Sequence, residues 1–99
     1  MDDALTRETF DPHVGKTFRV GNSYHAFTLV RIETRPIEPW EKEAGLRAPF
    51  NLIFRAPAGD VLAEGMHVLA LEDGTSFALY VSPIHTPVRT QQDYQSSFN

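Results

Sequence analysis

Between Met66 and Val81, apolar and polar side chains alternate on either side of an Asp73-Gly74 dipeptide, a pattern that predicts two antiparallel strands joined by a tight turn. With a two-residue loop, Gly74 supplies the positive φ of a type I′ turn. The register then sets Glu72 opposite Thr75, Ala70 opposite Phe77, Val68 opposite Leu79 and Met66 opposite Val81, which gathers one apolar face. The other face carries His67 opposite Tyr80, Leu69 opposite Ala78 and Leu71 opposite Ser76.

The same reading extends along the chain. Thr6 is placed to cap a turn through Arg7-Glu8-Thr9-Phe10. Pro12 suits the first position of a second turn capped by Asp11, and Gly15 stops it. Residues 6–15 are therefore expected to form a short, broken helical lid, with Phe10 and Val14 as its anchors on one barrel end. Lys16 to Val20 alternates as a strand, and Gly21-Asn22-Ser23 turns the chain into a longer strand from Tyr24 to Thr34. In that strand Phe27 and Leu29 share one face while Val30 and Ile32 share the other. Period two reconciles them only through a bulge or a strand that bends between layers. Residues 35–49 hold Pro36, Pro39, Gly45 and Pro49 without a sustained period and read as a long surface loop. Phe50 to Arg55 is a strand with Phe50, Leu52 and Phe54 facing the core, followed by a turn at Ala56-Pro57-Ala58-Gly59-Asp60. A second irregular stretch follows Pro83 and runs through Gln92. Tyr94, Ser96 and Phe98 then line one side of a terminal strand that closes the sheet.

These elements predict an all-β fold, a small antiparallel barrel or sandwich of about six strands with a short N-terminal helical segment. The 99 residues suffice for a single domain spanning 1–99, with one core and no internal repeat. No stretch approaches the roughly 20 apolar residues of a membrane helix, so a soluble protein without membrane partners is expected. The start, Met1-Asp2-Asp3-Ala4, is acidic where a signal peptide is basic, which makes the cytoplasm the expected location.

Charge narrows the partners. The net charge of −4 repels phosphate backbones, and the basic residues are scattered; Arg31 and Arg35 have Glu33 between them. No nucleic-acid partner is expected. With no cysteine there are no disulfides, thiolate nucleophiles or cysteine-ligated metals. The histidines, His13, His25, His67 and His85, show no ligand pair at zinc spacing, so no metal or other cofactor is predicted. Ser82, His85 and Asp93 are a chance assortment without a Gly-x-Ser-x-Gly elbow, and no phosphate-binding glycine run occurs. No catalytic residue is assigned. The surface feature that stands out is Trp40 in Pro39-Trp40-Glu41, either folded back as a cap or exposed as a contact residue. Ile53, Leu69, Leu71 and Ala78 pose the same choice between cover by the lid and loops and cover by a second subunit.

A set of ordered segments adds to this reading: Phe10-x-Pro12-x-Val14-Gly15-x-x-Phe18, Ala48-Pro49-Phe50-Asn51-Leu52-Ile53-Phe54-Arg55-Ala56-Pro57, Gly65-Met66-His67-Val68-Leu69, Leu79-Tyr80-Val81-Ser82-Pro83-Ile84, and Tyr94 to Phe98-Asn99. Together they resemble a family of bacterial domains of about 100 residues and unknown function. Members tend to be encoded near phage-tail-collar-like proteins, so the resemblance implies a structural or assembly role and supplies no catalytic residues. The expected function is a non-enzymatic protein-interaction module, possessing a protein partner or self-association, with Trp40, His67, Tyr80 and Phe98 as contact residues. The alternative is a small ligand-binding or hydrolytic barrel, its cavity under the lid and His25, His67 or His85 within it.

Overall fold

The computed structural model describes residues 5–98 apart from Asn22, Tyr24, Arg35, Leu46, Arg47, Asp60, Pro87 and Val88. The readings made on Met1–Ala4, Asn22, Tyr24, Asp60 and Asn99 lie outside the described residues. Six strands, β1 (Thr17–Val20), β2 (Ala26–Thr34), β3 (Phe50–Pro57), β4 (Gly65–Ala70), β5 (Ser76–Ile84) and β6 (Gln91–Phe98), close into an antiparallel barrel in the order β1-β2-β3-β6-β5-β4. Alternate side chains of every strand fill its interior: Phe18, Phe27, Leu29, Leu52, Phe54, Leu69, Leu79, Val81 and Tyr94 are all buried. Phe27 stacks on Tyr94 with ring centroids 4.3 Å apart, and Phe18 meets Phe54 edge-on at 5.6 Å. Small barrels are filled in this way because their diameter leaves room for little besides side chains.

The phase change in β2 is resolved by a bulge. Leu29 pairs with Phe54 and Arg31 with Ile53, so Val30 is the extra residue. The bulge returns Ile32, opposite Leu52, to the face already used by Phe27 and Leu29, and all three pack on the core.

The helical segment forms two successive turns, α1 (Arg7–Phe10) and a 3₁₀ turn at Asp11–His13. The Thr9 hydroxyl accepts from the Thr6 N–H at 3.2 Å, and Gly15 ends the segment at φ +90°. Phe10 is its anchor, fully buried with its ring centroid 4.9 Å from Phe77, 5.7 Å from Phe98 and 6.3 Å from Phe50. Val14, expected as a second anchor, is exposed instead, because the chain turns outward there before the Gly15 N–H reaches the Leu29 carbonyl at 2.7 Å.

Three other readings are corrected. The 35–49 segment is not a plain loop, since it contains a short helix α2 (Pro39–Glu43). Pro39 starts it with its φ already helical, and the Glu41 carboxylate reaches back to accept from the Glu38 N–H at 2.7 Å. The irregular stretch after Pro83 is shorter than expected, because β5 continues to Ile84 and β6 begins at Gln91. Pro83 is tolerated there for a geometric reason. Its missing N–H would point toward β4, and the β4 ladder has already ended at Gly65 opposite Val81.

The third correction is the register of the β4–β5 hairpin. Leu69 faces Phe77, Val68 faces Ala78, His67 faces Leu79 and Met66 faces Tyr80, one residue away from the two-residue-loop pairing. The loop has three residues, Glu72-Asp73-Gly74. The Leu71 N–H donates to the Thr75 carbonyl at 2.7 Å and the Gly74 N–H to the Leu71 carbonyl at 3.0 Å, with Gly74 at φ +95°. This is a β-turn followed by a left-handed glycine, the usual three-residue hairpin. Asp73 secures it, its carboxylate accepting from the Thr75 N–H at 2.8 Å. That hydrogen bond holds the Asp73 carboxyl below the usual carboxylate range.

Candidate functional site

The shift of one residue turns β4 over. Leu69, with Leu71 just beyond the strand, goes into the barrel; Met66 and Val68 go outside. On the outer surface Met66 lies directly across from Tyr80 and Val68 across from Ala78, forming a continuous apolar face over two strands. Met66 is 63% exposed and Val68 and Tyr80 each 50%. Exposed apolar side chains scattered singly need no explanation, but adjacent ones on a ladder make a contiguous apolar patch. The Tyr80 hydroxyl donates to the Glu64 carboxylate at the rim of this face, which pushes the phenol above its usual value.

The residues named from the sequence are placed as follows. Tyr80 belongs to the exposed hairpin face. His67 does not oppose it: the corrected register puts His67 on the other side of β4, half-buried, its Nε2–H donating to the Ala63 carbonyl at 2.8 Å. That bond ties the chain leading into β4 to the strand. Phe98 is half-buried, its ring stacked on Phe50 with centroids 4.7 Å apart. The terminal strand that carries it, β6, pairs with β3 along its whole length and with β5 only from Asp93 to Gln95. Trp40 stands 63% exposed on α2 rather than folded back as a cap. Structure thus brings Tyr80 together with Met66 and Val68, and leaves His67, Phe98 and Trp40 elsewhere.

Met66 and Val68 escaped the sequence reading because loop length was inferred from Asp73-Gly74 alone. The signal that identifies them is side-chain size. Inward positions of β4 hold Leu69 and continue to Leu71, whereas the alternative inward set would put the small Ala70 at the same depth.

Other polar clusters have structural partners. Across β3 and β6, Arg55 donates from Nε to Asp93 Oδ1 at 2.9 Å and from Nη2 to Oδ2 at 3.1 Å. The hydrogen bond raises the guanidinium's pKa above its ordinary value. Asp93 is thereby occupied by Arg55, and its N–H donates to Thr86 Oγ1 at 2.9 Å. Among the described residues, no three His, Asp or Glu side chains gather in a metal-binding cluster. Nor is any described helix long and apolar enough to cross a membrane.

In comparison with known families, the profile of a family described as "Domain of unknown function (DUF6916)" fits residues 5–98. No curated protein and no solved structure matches the chain. The chain belongs to the DUF6916 family.

Proposed function

We propose that this DUF6916 domain is a non-enzymatic protein-docking module and that the outward face of the β4–β5 hairpin is its contact surface. The observation that carries the reading is the unbroken exposed row of Met66, Val68, Ala78 and Tyr80 on the outside of a barrel whose inside is filled. A packed interior favours recognition on the outer surface over a ligand cavity, since small-molecule sites are concave. The exposed aromatic ring of Tyr80 is of the kind that dominates protein contacts. Trp40 on α2 is a second contact point in the same role. The setting we propose is a phage-tail-like assembly put together in the bacterial cytoplasm. The sequence resemblance to domains encoded near phage-tail-collar-like proteins supports it.

The test compares affinity capture from native cells by the tagged wild-type chain with capture by Met66→Glu/Val68→Glu. Both positions are solvent-facing, so the double variant keeps the wild-type circular dichroism spectrum and melting transition. Loss of the captured tail-like proteins by the folded double variant is the expected result. Their full retention sinks the assignment of this face.

A further inference from the structure

The two sides of β5 are paired over different stretches, and one side is left partly open. Against β4 the ladder runs from Ser76 to Val81; against β6 it covers only Ser82 to Ile84. In an antiparallel strand, each residue turns its N–H and C=O to the same side, and successive residues turn them to opposite sides. Because the Leu71 N–H is bonded to the Thr75 carbonyl, Thr75, Phe77, Leu79 and Val81 direct their peptide groups to β4. Ser76, Ala78 and Tyr80 direct theirs to the other side, the side on which Ser82 and Ile84 meet β6. Past Ser82 that ladder stops, so these three residues have no strand partner there among the described residues. All three are exposed. The seam is sealed from beneath by Phe10, whose ring touches Phe77 on β5 and Phe98 on β6.

Open strand edges are ordinarily guarded by charge, proline or a bulge, because they template further pairing. The stretch Ser76-Phe77-Ala78-Leu79-Tyr80-Val81 has none of these and is rich in strand-forming residues. We propose, resting on the docking role above, that this edge receives an extended segment of a partner protein as an added strand, bonded backbone to backbone with Ser76, Ala78 and Tyr80. Outward side chains of the added strand then lie beside Ala78 and Tyr80 and prolong the apolar row that Met66 and Val68 begin. The exposed carboxylates of Glu64, beyond Tyr80, and Asp73, beyond Ser76, favour basic residues at its two ends. A second copy fits less well. It brings another charge of −4. The exposed hairpin face offers on the order of 300 Å², against roughly 800 Å² per partner in a stable interface, whereas strand addition draws its affinity from main-chain bonds.

Amide hydrogen exchange of the full chain is the first test. Ser76, Ala78 and Tyr80 are expected to exchange at least about tenfold faster than Phe77, Leu79 and Val81. Equal protection of the two sets overturns the proposal. Next, a displayed library of linear octapeptides is selected on the immobilised chain. The expected winners alternate apolar residues between basic ends and, added as synthetic peptides, slow exchange at Ala78 and Tyr80. Ala78→Pro removes an N–H that β4 does not use, and is expected to weaken the peptide by about tenfold or more while Ala78→Ser retains it. Should Ala78→Pro fail to fold, protection of the wild-type amides decides alone. Peptides that lose affinity on Met66→Glu yet protect neither amide uphold the docking face and overturn strand addition. Indifference to both Met66→Glu and Ala78→Pro overturns both. Protection that rises with protein concentration, without peptide, assigns the edge to a second copy and overturns the partner segment.

Discussion

The β3–β6 pair and the β4–β5 hairpin have the same kind of interior face and opposite kinds of exterior. Inside, both present large apolar side chains to one core. Outside, β3–β6 shows Asn51, Gln95, Ser97 and the Arg55–Asp93 ion pair, and its one large apolar residue there, Ile53, is only 1% exposed. The hairpin shows Met66, Val68, Ala78 and Tyr80 to solvent, all four of them exposed. A strand whose outward residues are polar and paired is finished as a surface; one whose outward residues are apolar and bare has surface left to bury. The docking role we propose belongs to the half with surface left to bury.

The sharpest way to break this comparison is to truncate one outward residue on each half. Ile53→Ala is expected to cost about 2–5 kcal/mol, because it empties a covered site. Val68→Ala is expected to stay within about 0.5 kcal/mol. Urea unfolding of the two variants measures both, and equal losses abolish the distinction. Gly74→Ala comes next. At φ +95° an added Cβ strains the hairpin loop by about 1–2 kcal/mol, and the same unfolding assay reads a lower midpoint.

Tyr94→Phe sharpens the picture of the closed half. The Tyr94 hydroxyl accepts from the Leu62 N–H at 2.9 Å, holding the loop before β4 over the barrel end. Its removal is expected to cost about 0.5–1.5 kcal/mol, with faster exchange of the Leu62 amide as the local readout. The smallest effect concerns pH. The folded Asp73 carboxyl lies below its unfolded value of about 3.9, so it stabilises the fold above that pH and loses the contribution as pH falls through the folded value. Asp73→Asn is expected to flatten the acid limb of the stability profile below about pH 4, as followed by thermal melts. An unchanged acid limb removes Asp73 from the account of the loop.

Much of the barrel was legible along the chain because its signals are local. Thr6 and Pro12 mark the helical turns, the conflict between Leu29 and Val30 marks a break in β2 that the structure resolves as a bulge, and the alternation of Tyr94, Ser96 and Phe98 marks the last strand. Helix α2 was missed because Glu38 and Glu41 form their box without the Ser or Thr that normally announces one. The candidate surface was half legible. Tyr80 was named, while Met66 and Val68 were assigned to the wrong company by a loop counted one residue short.

By itself, then, the sequence determined the class of fold, most of the strand segments, the need for a bulge or a bend in β2 and the absence of cysteine chemistry, since each follows from side-chain type and spacing within a few residues. Tertiary structure decided which face of β4 turns inward, how far β5 stays paired with each neighbour, and that Phe98 stacks within the structure while Trp40 stands outside it. A period of two gives a strand two faces without saying which is which. Only closing the ring, where every register must agree with both neighbours and the interior must be filled, makes that choice.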